Sequence, residues 1–144
     1  MIPYGRQAID QDDIDAVVGS LQSDWLTQGP QLREFEQSLA QRCAARHAVA
    51  CNSGTAALHM AYAAAGIGPG STVVVPANTF LATANAAIYL GAEVRFCDVD
   101  PLTGLMTPQT LSAVLDNSVT AVVPVHFAGQ PCDMEAIADV VQQC

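Results

Sequence analysis

The sequence predicts an α/β fold, a mostly parallel sheet flanked by helices. Three observations carry this. Short strand-like runs recur at 47–51, 72–76, 93–98 and 119–125. Most are apolar throughout, as strands covered on both faces are. Stretches with helical spacing separate them, and regular strand–helix alternation implies parallel strands joined by crossover helices. Glycines and prolines mark the joints, as in Gly66-Ile67-Gly68-Pro69-Gly70 and at Gly91.

Residues 1–9 read as an extended arm. Asp10 and Asp12 offer helix caps, and Ile14, Val17, Val18 and Leu21 then recur at helical spacing up to Ser23-Asp24. Asp24 to Pro30 has mixed polarity and contains Gly29-Pro30, which makes it a loop. Pro30 suits the first turn of a second helix, with Leu32, Phe35, Leu39 and Cys43 expected as its buried stripe. His47 to Cys51 is predicted to be a short strand. An alanine-rich helix follows from Ser53 to Ala65 and stops at the glycine cluster. Thr72 to Pro76 is a β-branched strand, Phe80 to Leu90 a helix closed by Gly91, and Glu93 to Asp98 a strand. Asp100 to Gly104 is a turn. Thr107 to Leu115 is a helix with Pro108 at its start, Val119 to Val125 a strand, and Asp133 to Gln142 a helix capped by Asp133. The alternation calls for another strand after Cys144.

Composition narrows the function classes. The 144 residues are 51% hydrophobic and 13% charged, with mean hydropathy +0.27, which suits one packed domain and excludes intrinsic disorder. A net charge of −9 and a pI near 4.3 oppose binding to nucleic-acid phosphates. No apolar run reaches the roughly 20 residues that span a bilayer, and the opening residues lack the apolar core of a signal peptide. Cys43, Cys51, Cys97, Cys132 and Cys144 are odd in number and none are in CxxC spacing, which points to reduced thiols in the cytoplasm. His47, His59 and His126 have no metal-ligand spacing, so no metal site is expected. The five basic residues are Arg6, Arg33, Arg42, Arg46 and Arg95. The chain contains no lysine.

Four segments hold candidate functional residues. Ala50 to Leu58 reads as strand, small-residue turn and helix start. Unpaired backbone N–H groups would then converge at the positive end of a helix, Gly54 would allow close approach, and the Ser53 and Thr55 hydroxyls could add donors, which suits a phosphate. An ordinary capped helix explains the same residues. The glycines at 66, 68 and 70 follow a helix and precede a strand, the wrong order for a dinucleotide loop. Phe80 follows a strand end, where it could stack on a flat ring, with Asn78, Thr79 and Thr83 as polar neighbours; taken alone, an aromatic there is more readily a core residue. His126 lies after the last strand, where a lone histidine is more readily a structural hydrogen-bonder. Tyr4, Arg6 and Gln7 in the arm, and Asp24, Trp25, Leu26, Thr27 and Gln28 in the loop, mix aromatic and polar groups on irregular segments suited to ligand or subunit contact.

Taken in order, six runs resemble the DegT/StrS-type sugar aminotransferases. They are Ile2-Pro3-Tyr4-Gly5, Asp24 to Pro30, Phe35-Glu36, Asn52 to Leu58, Pro76 to Phe80, and Pro124 to Gln130. The resemblance implies the aspartate-aminotransferase fold (fold type I), here an incomplete large domain, and pyridoxal 5'-phosphate (PLP) as cofactor. It implies that Gly54, Thr55 and Ala56 bind the cofactor phosphate, that Phe80 stacks on the pyridine ring and that His126 lies nearby. Tyr4, Asp24, Trp25, Leu26, Thr27 and Ser53 would line the sugar-nucleotide site. Residues 1–30 would be arm, first helix and substrate loop, and 31–144 a partial PLP-binding domain. It also implies glutamate as amino donor, a 4-keto nucleotide sugar as acceptor, and a homodimer. The family's cofactor lysine, its pyridine-nitrogen aspartate and its small C-terminal domain come from later sequence. The chain is therefore expected to be an N-terminal portion, inactive by itself. A non-catalytic binding module for PLP or nucleotide sugar, or a subunit completed by a separate C-terminal chain, are the alternatives.

Overall fold

The computed structural model describes residues 5–143. These fall into two compact units, divided between Ala50 and Cys51.

The first unit holds α1 (Gln11–Gln22) and α2 (Pro30–Arg42). A reciprocal capping box starts α1: the Asp10 carboxylate accepts from the Asp13 amide, and the Asp13 carboxylate accepts from the Asp10 amide, each at 3.1 Å. Pro30 is the first residue of α2, where its missing N–H leaves no donor unpaired. The extended residue before it must be small, since a Cβ on Gly29 would lie 2.7 Å from the Cβ of Trp25. Two expectations fail here. Leu32, Phe35, Leu39 and Cys43 are exposed, as are Ile14, Val17, Val18 and Leu21. Helical spacing aligns an apolar face but does not supply the element that covers it. His47 to Cys51 joins no ladder either. The Ala50 amide donates instead to the Glu36 carboxylate, at 2.8 Å, so a side chain takes a donor that a neighbouring strand would use.

The second unit runs α3 (Gly54–Ala64), β1 (Thr72–Pro76), α4 (Leu81–Tyr89), β2 (Glu93–Cys97), α5 (Pro108–Ser112), β3 (Val119–Val122), a 3-10 turn (Phe127–Gly129) and α6 (Met134–Gln142). The sheet is parallel throughout, in the order β2-β1-β3. Strand β1 is buried from end to end, and its side chains alternate between two cores. Val73 and Val75 pack with Tyr62, Ala84, Ala86 and Ala87, where small side chains let α3 and α4 approach closely. Val74 packs on the opposite face with Cys97, Leu105, Met106, Leu111 and Ile137. Cover is incomplete at β2, where Glu93 and Phe96 are exposed. Two elements are shorter than the sequence predicts. Helix α5 ends at Ser112, and β3 ends at Val122, although the Val123 amide still reaches the Val74 carbonyl at 2.9 Å.

Arg95 ties β2 to the connection between α5 and β3. Its guanidinium donates to the Val114 carbonyl at 2.7 Å, the Asp116 carboxylate at 2.8 Å and the Ser118 hydroxyl at 3.1 Å. The Ser118 hydroxyl, then its amide, then Arg95 hold the Asp116 carboxyl down to about 2. A depressed carboxylate contributes stability that is complete above its unfolded value, near 3.9, and is lost as pH falls toward the folded one. Asp116→Asn is expected to flatten the thermal midpoint between about pH 4 and pH 2 relative to the parent chain. Parallel melting curves for parent and variant across that window would contradict the assignment.

Candidate functional site

In an open parallel sheet, ligands gather at the C-terminal edge of the strands. Three connections meet there: the turn after β1, the loop after β2 and the segment after β3. Their meeting point is Gly104, at φ +70. The Asn78 side chain donates to its carbonyl at 3.4 Å, and a Cβ on Gly104 would lie 3.0 Å from Asn78 Nδ2 and 3.1 Å from Phe127 Cδ1. The Asp100 carboxylate shapes this loop by accepting from the Leu102 and Thr103 amides, at 3.0 and 2.9 Å, and the Thr103 bonds hold its carboxyl below the ordinary range.

Phe80 directly precedes α4 and is 77% exposed. Its ring is therefore no core residue, contrary to the expectation from the residue alone, and most of its surface is exposed. The two hydroxyls expected beside it bond to each other, Thr79 Oγ1 donating to Thr83 Oγ1 at 2.8 Å, which leaves the Thr83 O–H as the free donor of the pair. The Tyr62 hydroxyl donates to the Thr83 carbonyl at 2.9 Å, which ties α3 to the first turn of α4, and burial pushes the Tyr62 phenol up.

Ser53 caps α3, and its Oγ accepts from the Ala56 amide at 3.2 Å. The first helical amide bond runs from Ala57 to the Ser53 carbonyl, at 3.0 Å. The amides of Gly54 and Thr55 and the Thr55 hydroxyl thus have no partner among the described residues. A Cβ built on Gly54 would meet nothing within 4 Å beyond its chain neighbours and the helix's own backbone, so no other part of the described chain crowds Gly54. An anion the size of a phosphate fits this donor set and the positive end of the helix. The Ala56 amide is committed to Ser53, so the cradle has fewer free backbone donors than the sequence suggests.

His126 is exposed at the start of the 3-10 turn, and its Nδ1 accepts from the Cys132 amide at 3.0 Å. Spacing alone does not disclose this partner. In the first unit, Asp24, Trp25, Leu26 and Thr27 are all exposed. Trp25 borders two clefts, one of about 260 Å³ with Gly29, Pro30 and Arg33, the other of about 290 Å³ with Val17, Leu21 and Leu26. Tyr4 lies outside the described residues. Among the described residues, no three His, Cys, Asp or Glu side chains are placed to hold a metal, and no helix is long and apolar enough to cross a membrane.

The profile of the DegT/DnrJ/EryC1/StrS aminotransferase family matches residues 7–144. The chain belongs to this family. Spore coat polysaccharide biosynthesis protein SpsC from Bacillus subtilis (strain 168) is 45% identical over 141 residues, 98% of this DegT-family chain and 36% of that protein. An aminotransferase from Psychrobacter cryohalolentis superposes with a TM-score of 0.87 at 36% identity, over 98% of this chain and 36% of that one. A Streptococcus pneumoniae protein assigned to the sugar aminotransferases, solved in PLP and PMP forms, gives a TM-score of 0.90 at 32% identity, over 99% and 36%. The chain thus spans about a third of the length of these relatives. DegT-family aminotransferases use PLP, and the parallel α/β unit seen here is part of their fold, as the sequence predicts.

Proposed function

We propose that these residues are the N-terminal part of a PLP-dependent aminotransferase that moves an amino group from glutamate to a 4-keto nucleotide sugar. The observation that carries the reading is the start of α3, where the Gly54 and Thr55 amides have no partner among the described residues and nothing outside the helix crowds Gly54. Gly54, Thr55 and the backbone at Ala56 border the cofactor phosphate, Phe80 stacks on its ring and His126 stands beside it. Tyr4, Asp24, Trp25, Leu26, Thr27 and Ser53 face the sugar nucleotide. When bound, PLP supplies an electron sink for charge developing next to the migrating nitrogen. This chain's residues anchor and orient it. With no lysine in 144 residues, the amine that holds PLP and moves the proton comes from other sequence, as does the aspartate for the ring nitrogen. The arm and substrate loop (1–30) serve the sugar, residues 31–144 the cofactor, and the complete enzyme works as a homodimer.

Within the family, the opening residues and the Leu26-Thr27-Gln28-Gly29-Pro30 loop most resemble the transaminase of pseudaminic acid synthesis, which favours a UDP-linked sugar. The polysaccharide role in the name of the Bacillus subtilis relative also favours a sugar substrate. The missing lysine supports a second reading, a module that binds PLP or nucleotide sugar without turnover.

Calorimetry on the purified chain is expected to show PLP binding, and borohydride treatment to leave no reduced adduct on any side chain. Phe80→Ala is expected to weaken binding about tenfold. The ring is mostly exposed, so the thermal midpoint should stay in place. Absence of binding up to millimolar PLP would overturn the proposal, and a borohydride adduct on a side chain would overturn the assignment of the amine to other sequence.

A further inference from the structure

The segment after β3 is built to hold one ring nitrogen. Ala128 takes φ +52 and Gly129 φ +82, so the chain doubles back over a few residues. That reversal brings the Cys132 amide onto His126 Nδ1. Cys132 is itself fixed, being 5% exposed with its thiol donating to the Val125 carbonyl at 3.2 Å. A ring nitrogen that accepts an amide hydrogen carries none of its own, so the neutral imidazole is held with its hydrogen on Nε2. Among the described residues Nε2 has no partner, and the side chain is exposed.

We infer that His126 is a positioned hydrogen-bond donor, whose Nε2–H serves an oxygen acceptor of a ligand at the sheet edge, and that the Cys132 amide is the group that positions it. With the Nδ1 lone pair committed, the ring donates and does not act as a base. The identity of the acceptor as a PLP oxygen rests on the function proposed above; the locked tautomer does not.

Two-bond proton–nitrogen NMR on the ¹⁵N-histidine chain reads the ring directly, with His126→Gln assigning its signals against His47 and His59. The expected pattern is a bare Nδ1, a hydrogen-bearing Nε2, and a coupling across the hydrogen bond between Nδ1 and the Cys132 amide nitrogen in uniformly labelled chain. Cys132→Ala keeps the amide and should keep the pattern, whereas Cys132→Pro should abolish it. The coupling in the parent chain answers the question even if the proline variant does not fold. The reverse tautomer, or an averaged ring without coupling, overturns the inference. Added PLP should move the Nε2–H resonance and leave Nδ1 bare. PLP that binds by calorimetry, with neither it nor UDP-N-acetylglucosamine moving Nε2–H, overturns the donor role. A response to UDP-N-acetylglucosamine but not to PLP supports the donor role and assigns the acceptor to the substrate. No PLP binding with the tautomer intact overturns the cofactor reading and leaves the lock standing.

Discussion

Gly54→Val is expected to lower PLP affinity roughly 100-fold while the chain keeps its fold. The new Cβ would meet no protein atom within 4 Å beyond its chain neighbours and the helix's own backbone, so the surroundings leave room for it. Its methyl groups would instead crowd the Gly54 and Thr55 amides, where we propose that the phosphate binds. Hydrogen bonds to a charged acceptor contribute about 1.5–3 kcal/mol each, so displacing the phosphate from one of them is enough for most of the loss. Calorimetry measures the affinity, and a thermal melt checks the fold. Unchanged affinity in a folded Gly54→Val chain would mean the phosphate lies elsewhere.

Leu111→Ala is expected to destabilise the second unit by about 3 kcal/mol, within the range for deleting a buried leucine. Leu111 is completely buried between Val74, Met106 and Ile137. It is also the buried side chain of α5, a five-residue helix too short to persist without packing. Leu102, at 94% exposure on the neighbouring turn, is the control, and Leu102→Ala should change little. Urea denaturation with an unchanged slope distinguishes lost packing from a changed unfolded state. A small effect at Leu111 together with a large one at Leu102 would reverse the core assignment.

How much of this was legible depended on whether a signal is local. Strand β1 matches its expected range at both ends, since a β-branched run sits between Gly70 and Pro76 and every residue in it is buried. The caps at Asp10, Ser53 and Asp133 were equally legible, because each bonds within three residues. Long-range facts were not. The stripes of α1 and α2 show which residues share a face but not what would cover it. The run from His47 to Cys51 has strand composition without a neighbour to pair with. Strand β3 stops early where Pro124 has no amide to donate and its partner β1 ends at Pro76. At the site, Phe80 taken alone reads as core, and only its exposure or a family resemblance says otherwise. The bond from the Cys132 amide to His126 depends on an alanine in a left-handed conformation, which no local preference announces.

Strand β1 is a party wall. Val73 and Val75 lean into one oily compartment and Val74 into the other, across a ribbon only one residue thick. A swollen or shrunken side chain on either side must shift the wall and so disturb the tenant behind it. Changes at these three valines should therefore fail to add, and sequence drift in one compartment should leave matching adjustments in the other.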